Sequence, residues 1–276
     1  MSATLYLVPT PIGNLGDISR RALETLEQAD FIAAEDTRVS LKLLNHFGIK
    51  KPLVSYYRHN TTQSGDAILA RLLAGESCAL VTDAGTPAIS DPGEELVVLC
   101  AAHQVSVVSI PGACAITTAL AASGLPTGRF TFEGFLAMNK KNRREHLDEL
   151  KTETRTMIFY EAPHKLKATL ADFATTFGSE RPIAMCRELT KLHEEILRMT
   201  LGEAVAYYET ESPRGEYVLV LQGAAPQEKP KPTLADGLDR VRELQADGLS
   251  ARDAVKQAAK ELDLPRNAVY QASLEE

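Results

Sequence analysis

Short apolar runs alternate with helical segments over the first part of the chain. Five runs that are typical of buried strands read TLYLV, FIAA, PLVS, CALV and VSVVSI. Between them, apolar residues recur every three or four positions, as at Ala22, Leu23, Leu26 and Ala29. Strands that are apolar throughout and alternate with helices are typical of a parallel sheet covered on both faces. The pattern therefore predicts an α/β domain over residues 1–124.

The pattern changes after residue 124. Five further strand candidates more often alternate apolar and polar positions: RFTFEGFLA, TRTMIFYEA, RPIAMCREL, EEILRMTLG and GEYVLVLQG. Two helices, KKNRREHLDEL and KLKATLADFATTFG, are predicted among them. Since alternation is typical of antiparallel sheets, we expect a second α/β domain with a more antiparallel sheet over residues 125–224. A Lys/Pro-rich stretch predicts an exposed linker at residues 225–232, and helical patterns predict a small helical domain at 233–276.

The amino-acid composition limits the classes of function that this protein can have. The chain has 276 residues, of which 44% are hydrophobic, enough for sizeable cores. It has no basic leader and no apolar stretch near the ~20 residues of a membrane span, so we expect a cytoplasmic protein with no membrane partner. The four cysteines and six histidines are dispersed, which predicts reduced thiols and no metal site. A net charge of −7 disfavours nucleic acid, but the cluster KKNRR is a local basic exception.

Loops rich in small residues follow the predicted strands. They read PTPIGNLGD, EDTR, SYYRHN, DAGTPAISDPG and IPGACA in the first domain, and FYEAPHK in the second. Ligands of open parallel sheets bind at the carboxyl ends of the strands, and small residues let the backbone approach them. One such loop alone could be a tight turn, whereas five at one sheet edge predict a pocket and an enzyme. The G-x-G-x-x-G, P-loop and G-x-S-x-G motifs do not occur in the sequence.

The order of these motifs identifies a family. PTPIGNLGDIS, AAEDTR, DAGTPAISDPG, FEGFL, FYEAPHKL and ELTKLHEE together resemble the tetrapyrrole-methylase superfamily of S-adenosylmethionine (SAM) enzymes, across roughly residues 4–222. The resemblance implies two α/β domains with SAM in the cleft between them, and a homodimer. The pattern is most similar to the branch that methylates the ribose 2′-hydroxyl of a cytidine in the decoding region of 16S ribosomal RNA (rRNA), with the 30S subunit as the implied partner. The tail resembles the helix-turn-helix-like domain that many members carry.

The resemblance also implies which residues hold the cofactor. They belong to the loop after the first strand, the DAGTPAISDPG and IPGACA loops, and the second domain: Leu15, Asp83, Ala84, Gly85, Ala88, Cys114, Ala115, Glu161, Ala162 and Leu189. In this sequence a cysteine replaces the serine or threonine that relatives often show after IPG, so we expect a backbone contact there. Asp91 is equally suited to contact the ligand and to cap the following helix.

A ribose hydroxyl is a weak nucleophile, so we expect a base or an orienting acceptor. We favour the loop with Glu35 and Asp36 jointly with the loop that carries Glu161 and His164. Two alternatives stay open at this point. Asp36 could form an ion pair with Arg38 that holds its loop, and His164 could be a structural histidine.

An RNA substrate requires cations for its phosphates and aromatic rings for an extruded base. The candidate cations and polar contacts are Arg20, Arg21, Arg38, Arg58, His59, Lys140, Lys141, Arg143 and Arg144. Tyr56, Tyr57 and His59 are the stacking candidates. Two other functions remain possible: C-methylation of a tetrapyrrole precursor, whose enzymes carry G-x-G-P-G-D where this chain has IGNLGD, and a SAM- or RNA-binding scaffold without catalysis.

Overall fold

The computed structural model describes residues 3–58, 60–225 and 232–274. The chain divides into two compact units, Met1–Ala224 and Ala225–Glu276. His59 and most of the predicted linker at 225–232 lie outside the described residues.

The first half of unit 1 is a five-stranded parallel sheet of order β3-β2-β4-β1-β5. Its strands are β1 (Thr4–Leu7), β2 (Phe31–Ala34), β3 (Leu53–Ser55), β4 (Cys78–Val81) and β5 (Ser106–Ser109). The helices that connect and follow them are α1 (Arg20–Gln28), α2 (Thr37–His46), α3 (Thr61–Leu73), α4 (Glu94–Ala102) and α5 (Ala115–Ser123). Separate apolar clusters cover the two faces of this sheet, because alternate residues of each strand point to opposite sides. The predicted parallel α/β sheet is confirmed.

The second half of unit 1 is a mixed sheet of order β6-β7-β10-β8-β9, in which only β6 and β7 pair in parallel. The strands are β6 (Phe130–Phe135), β7 (Thr156–Glu161), β8 (Pro182–Arg187), β9 (Glu195–Thr200) and β10 (Tyr217–Leu221). Three helices, α6 (Lys140–Glu149), α7 (Pro163–Phe177) and α8 (Leu201–Thr210), accompany them. Helix α5 packs Ile116 and Leu120 against this second sheet, so the two halves share an apolar cluster.

Helix α8 is absent from the predicted elements, since LGEAVAYYET follows a strand with no intervening turn. Its signal is nevertheless in the sequence. Thr200 and Glu203 form a capping box, in which each side chain accepts a hydrogen bond from the other residue's backbone N–H.

Unit 2 is a small helical domain, as predicted, and its described residues form three helices. It contains α9 (Leu234–Ala246), α10 (Ala251–Glu261) and α11 (Arg266–Leu274) around its own small core. Thr233 and Ser250 cap α9 and α10 with their side chains. No helix in the described ranges is long and apolar enough to cross a membrane.

Candidate active site

The topology of the first sheet places its loops around a crevice. The chain leaves β1 toward one side of the sheet and leaves β4 toward the other, so the strand order reverses between these two central strands. Ligands of open α/β sheets bind at this position. A cavity of about 550 Å³ lies here, between the first sheet and the second. Its volume is typical of small-molecule sites.

The loops after four parallel strands all reach this cavity. Glu35 comes from the loop after β2, residues 83–86 and 89–91 from the loop after β4, and Cys114 from the loop after β5. Thr10 and Gly85 exchange two backbone hydrogen bonds, which joins the loop after β1 to the loop after β4. Thr86 donates from its hydroxyl to the Ala113 carbonyl at 3.0 Å, which joins the loop after β4 to the loop after β5.

Most of the residues predicted to hold the cofactor line the cavity. They are Asp83, Ala84, Gly85, Cys114, Ala115, Glu161, Ala162 and Leu189. Leu15 lies in a short 3₁₀ helix and Ala88 has a left-handed backbone; neither lines the cavity as far as the structure describes the chain. On the side of the second sheet, the Lys191 ammonium joins Glu188 at 2.9 Å and Glu216 at 2.8 Å, which closes the wall.

The loop between β4 and α4 is strained. Ala88 and Ser90 have φ values of +68° and +64°, which side chains other than glycine rarely adopt. Arg58 supports this conformation by donating from Nη2 to the Ser90 carbonyl at 2.7 Å. Such strain costs about 1–3 kcal/mol per residue and concentrates at functional sites. The strained loop carries Asp91, which lines the cavity.

Three carboxyls that line the cavity, those of Glu35, Asp83 and Asp91, have a raised pKa, and burial is the largest cause in each case. Burial raises the pKa of Asp91 to about 6, and the neighbouring charge of Glu35 adds to the shift. Burial also raises the pKa of Glu35, with a further contribution from Asp83. Helix α4 is capped by Gly93 without a side-chain bond, so Asp91 does not cap it. The structure therefore gives Asp91 a place at the cavity, which the sequence left open.

The carboxylate of Asp36, in contrast, is already engaged in a helix cap and an ion pair. It caps α2 by accepting from the Arg38 backbone N–H at 2.8 Å, and its carboxylate is paired with the Arg38 guanidinium at 2.7 Å. Hydrogen bonds from Arg38 lower the pKa of Asp36 to about 2. A carboxylate so weakly basic is a poor proton acceptor at neutral pH. Of the two roles that the sequence left open for Asp36, the geometry supports the ion pair with Arg38 that holds the loop.

Glu161 and Arg143 share an internal hydrogen-bonded chain. Glu161 is 4% exposed and accepts from the Ala162 N–H and the Thr169 hydroxyl. Arg143 donates to the same hydroxyl at 2.8 Å and pairs with Asp172 at 2.6 Å. These contacts use both carboxylate oxygens of Glu161 and turn Arg143 inward. Glu161 orders the cavity wall, and Arg143 is not available to phosphates.

The remaining candidates lie on the surface. His164 is exposed at the second position of α7 and, within the described ranges, does not line the cavity. Arg20, Arg21, Lys140, Lys141 and Arg144 are exposed, as are Arg38 and Arg58 with the contacts given above. Tyr56 was expected to stack on a base, but this prediction is wrong because its side chain is fully buried.

Some residues that line the cavity are not among the site residues predicted from the sequence. Tyr160 and Phe135 line the cavity from the second sheet, and Ile89 lines it from the strained loop. Phe135 is the fourth residue of the FEGFL motif and the last of β6, and a terminal strand residue gives no indication from periodicity that it faces a pocket.

Comparisons with known proteins show the family to which the chain belongs. Residues 4–205 match the family described as Tetrapyrrole (Corrin/Porphyrin) Methylases. The chain belongs to this methylase family. It is a methyltransferase, as the motif resemblance predicted. Residues 232–276 of this methylase match the family described as RsmI C-terminal HTH domain.

Curated relatives are similar over nearly the whole methylase. The ribosomal RNA small subunit methyltransferase I of Synechocystis sp. is 51% identical over 98% of this chain and 97% of its own length. The protein of the same name from Halalkalibacterium halodurans is 48% identical over 97% of this chain and 93% of its own length. A crystal structure of uroporphyrin-III C-methyl transferase from Thermus thermophilus, complexed with S-adenyl homocysteine, shares the fold. Its TM-score is 0.52 with 20% identity, over 79% of this chain and 96% of that one.

Proposed function

We propose that this methylase transfers a methyl group from SAM to the ribose 2′-hydroxyl of a cytidine in the decoding region of 16S rRNA. The small-subunit rRNA methyltransferases that are 51% and 48% identical support rRNA as the substrate. The observation that carries the choice of a hydroxyl acceptor is the carboxyl pair, Asp91 and Glu35, at one cavity.

The cavity residues fit SAM. The backbone around Ala84 and Gly85 presents little side-chain bulk to a ligand, and Gly85 has a left-handed φ of +85° that glycine adopts readily. Asp83 offers a carboxylate that can accept from a hydroxyl or ammonium group, and Leu189 and Ala115 supply apolar wall. SAM is the methyl donor, and its sulfonium supplies an electrophilic methyl group. Positioning of the acceptor hydroxyl is then the main task of the protein.

Asp91 is suited to accept the proton of that hydroxyl. Its carboxyl is about as basic as the reaction at neutral pH requires, because efficient general bases have a pKa near the working pH. Glu35 contributes its charge, which keeps Asp91 a stronger base than an isolated carboxylate. Asp91 thus carries the proton-accepting role, and Glu35 tunes it.

The first experiment measures transfer of labelled methyl from SAM to 30S subunits, with naked 16S rRNA and a tetrapyrrole precursor beside them. We expect label at one ribose that resists alkaline cleavage. Asp91→Asn should lower kcat about 10²–10⁴-fold, the usual contribution of a general base, with SAM affinity unchanged. Asp36→Asn, which retains a good capping side chain, is the matched control and should leave kcat near wild type.

Label in the precursor alone would point to tetrapyrrole C-methylation, and SAM binding without transfer to any of the three would favour the scaffold. A wild-type rate in Asp91→Asn would remove Asp91 from the mechanism.

RNA approaches this cavity, in our proposal, along the start of α6. Its first residue, Lys140, follows the cavity residue Phe135 by five positions, and Lys140, Lys141 and Arg144 are exposed. Neutralised phosphates release counterions, so binding should weaken with salt. We propose that the protein acts as a homodimer in the cytoplasm on the assembled 30S subunit. Transfer to naked 16S rRNA at the same rate would remove the subunit from this proposal.

A further inference from the structure

Strand β6 contains a bulge next to the cavity. Its pairing with β7 runs from Phe132 opposite Ile158 to Gly134 opposite Phe159, so Glu133 is an extra residue with no partner. Gly134 has a φ of +65°, in the left-handed region that glycine adopts without strain. Bulges of this kind bend a strand and change the direction of the following side chains.

The bulge changes the face on which Phe135 lies. In a regular strand, Phe132 and Phe135 would point to opposite faces, because they are an odd number of residues apart. With the extra residue both rings contact Tyr160, at centroid distances of 5.0 and 5.5 Å. Glu133 points away and is bonded to His146 of α6 at 2.9 Å. Phe135 is thereby turned toward the cavity that it lines.

Phe135 is unusually exposed to solvent for an aromatic residue. It is 57% exposed, although its ring contacts Tyr160 at an interplanar angle of 61°. A Cβ on the adjacent Gly134 would lie 3.6 Å from the hydroxyl of Ser90. This end of β6 therefore lies against the loop that carries Asp91, so the exposed ring and the proton-accepting carboxyl occupy the same part of the cavity.

These contacts indicate what the ring binds. A 2′-hydroxyl can reach Asp91 only if its nucleotide leaves the base stack of the RNA, and an extruded base loses its stacking neighbours. An aromatic face replaces that stacking, at about 1–3 kcal/mol per base. We propose that Phe135, supported by Tyr160, is the platform on which the extruded pyrimidine base of the acceptor nucleotide stacks. This inference rests on the proposed function.

The chain provides a matched control. Phe130 begins the same strand, is 41% exposed, and is not among the described residues that line the cavity. Phe135→Ala should raise KM for the 30S substrate by about 5- to 150-fold, which is the stacking energy expressed as a ratio. Its affinity for SAM should not change. Phe130→Ala should leave both constants at the wild-type values.

Two further variants separate stacking from simple burial of apolar surface. Phe135→Trp keeps an aromatic face and should restore a KM close to wild type. Phe135→Leu keeps an apolar side chain without that face and should behave like the alanine variant.

The outcomes are distinguishable. An unchanged KM in Phe135→Ala, or a wild-type KM in Phe135→Leu, would overturn the stacking platform while leaving the proposed function intact. Loss of SAM affinity in Phe135→Ala would assign the ring to the cofactor site and overturn the inference in another way. If the wild-type protein binds SAM but transfers no methyl group to the subunit, the proposed function fails and the inference fails with it.

Discussion

At the scale of single residues, the carboxyl of Asp91 determines how the site should respond to pH. The residue must be ionised to accept a proton, and its pKa is about 6. We expect kcat to fall as the pH is lowered through about 6. In Glu35→Gln the neighbouring negative charge is gone, the pKa of Asp91 falls, and the acidic limb of the profile should move to lower pH. A pH–rate profile of both proteins checks this.

The control for that profile is Asp36→Asn. Asp36 is partly buried but already ionised over this range, since its pKa is about 2. An acidic limb that moved as far in Asp36→Asn as in Glu35→Gln would show that the shift is a general charge effect and not the coupling of Glu35 to Asp91.

Ionised Asp91 should also lower the free energy of unfolding at neutral pH. The pKa of Asp91 is raised in the fold from 3.8 to about 6, so the folded protein holds this proton more tightly than the unfolded chain. The stabilisation is present below pH 4 and is lost as the pH rises through about 6. Asp91→Asn, a neutral isostere, should therefore raise the free energy of unfolding at pH 7 by about 1–2 kcal/mol, after allowance for solvent screening of a half-buried side chain.

Denaturant unfolding at pH 7 and pH 4 tests the sign. The gain of Asp91→Asn should be present at pH 7 and nearly absent at pH 4. Equal stability of the two proteins at pH 7 would mean that ionised Asp91 is not penalised by its site.

At the scale of secondary-structure elements, the entry into α4 depends on a glycine. Gly93 caps α4 at a φ of +147°, and a Cβ there would lie 3.0 Å from both Ala88 and Leu80. Gly93→Ala should lower the free energy of unfolding by about 2–4 kcal/mol, combining backbone strain with displacement of the loop that carries Asp91.

Gly48 is the comparison that isolates the crowding. It has a left-handed φ of +72° after α2, with nothing within 4 Å of an added Cβ. Gly48→Ala should lower the free energy of unfolding by only about 1 kcal/mol, because only backbone strain contributes there. Equal losses in the two variants, measured by urea unfolding, would show that the contacts around Gly93 add nothing.

At the scale of the whole molecule, the two units have separate cores and should respond differently to the cofactor. Within the described part of the chain, the residues that line the proposed SAM cavity all belong to Met1–Ala224. At 100 times its Kd, SAM should stabilise this unit by about 2.7 kcal/mol, a shift in its Tm of roughly 5–10 °C. Calorimetry should show the transition of Ala225–Glu276 unmoved. A single transition that shifts as a whole would mean that the units unfold together.

The secondary structure and the edge of the sheet at which the cavity lies follow largely from the sequence, because both depend on local patterns. Apolar runs and helical periods predicted the two sheets and a small helical tail. The loop that contains Asp83 and Gly85 was placed at the cavity because parallel strands end at one edge. Helix α8 was missed although its capping box, Thr200 with Glu203, is readable in the sequence.

The roles of individual side chains required the tertiary structure, because burial and charge at each position depend on residues distant in the chain. The buried Tyr56 and the inward-facing Arg143 read as surface residues in the sequence, and only packing shows otherwise. The pKa of Asp91 reaches about 6 only because its side chain is partly buried beside the charge of Glu35. Phe135 faces the cavity only because one extra residue in β6, identified by its pairing with β7, reverses the alternation that the sequence alone would predict.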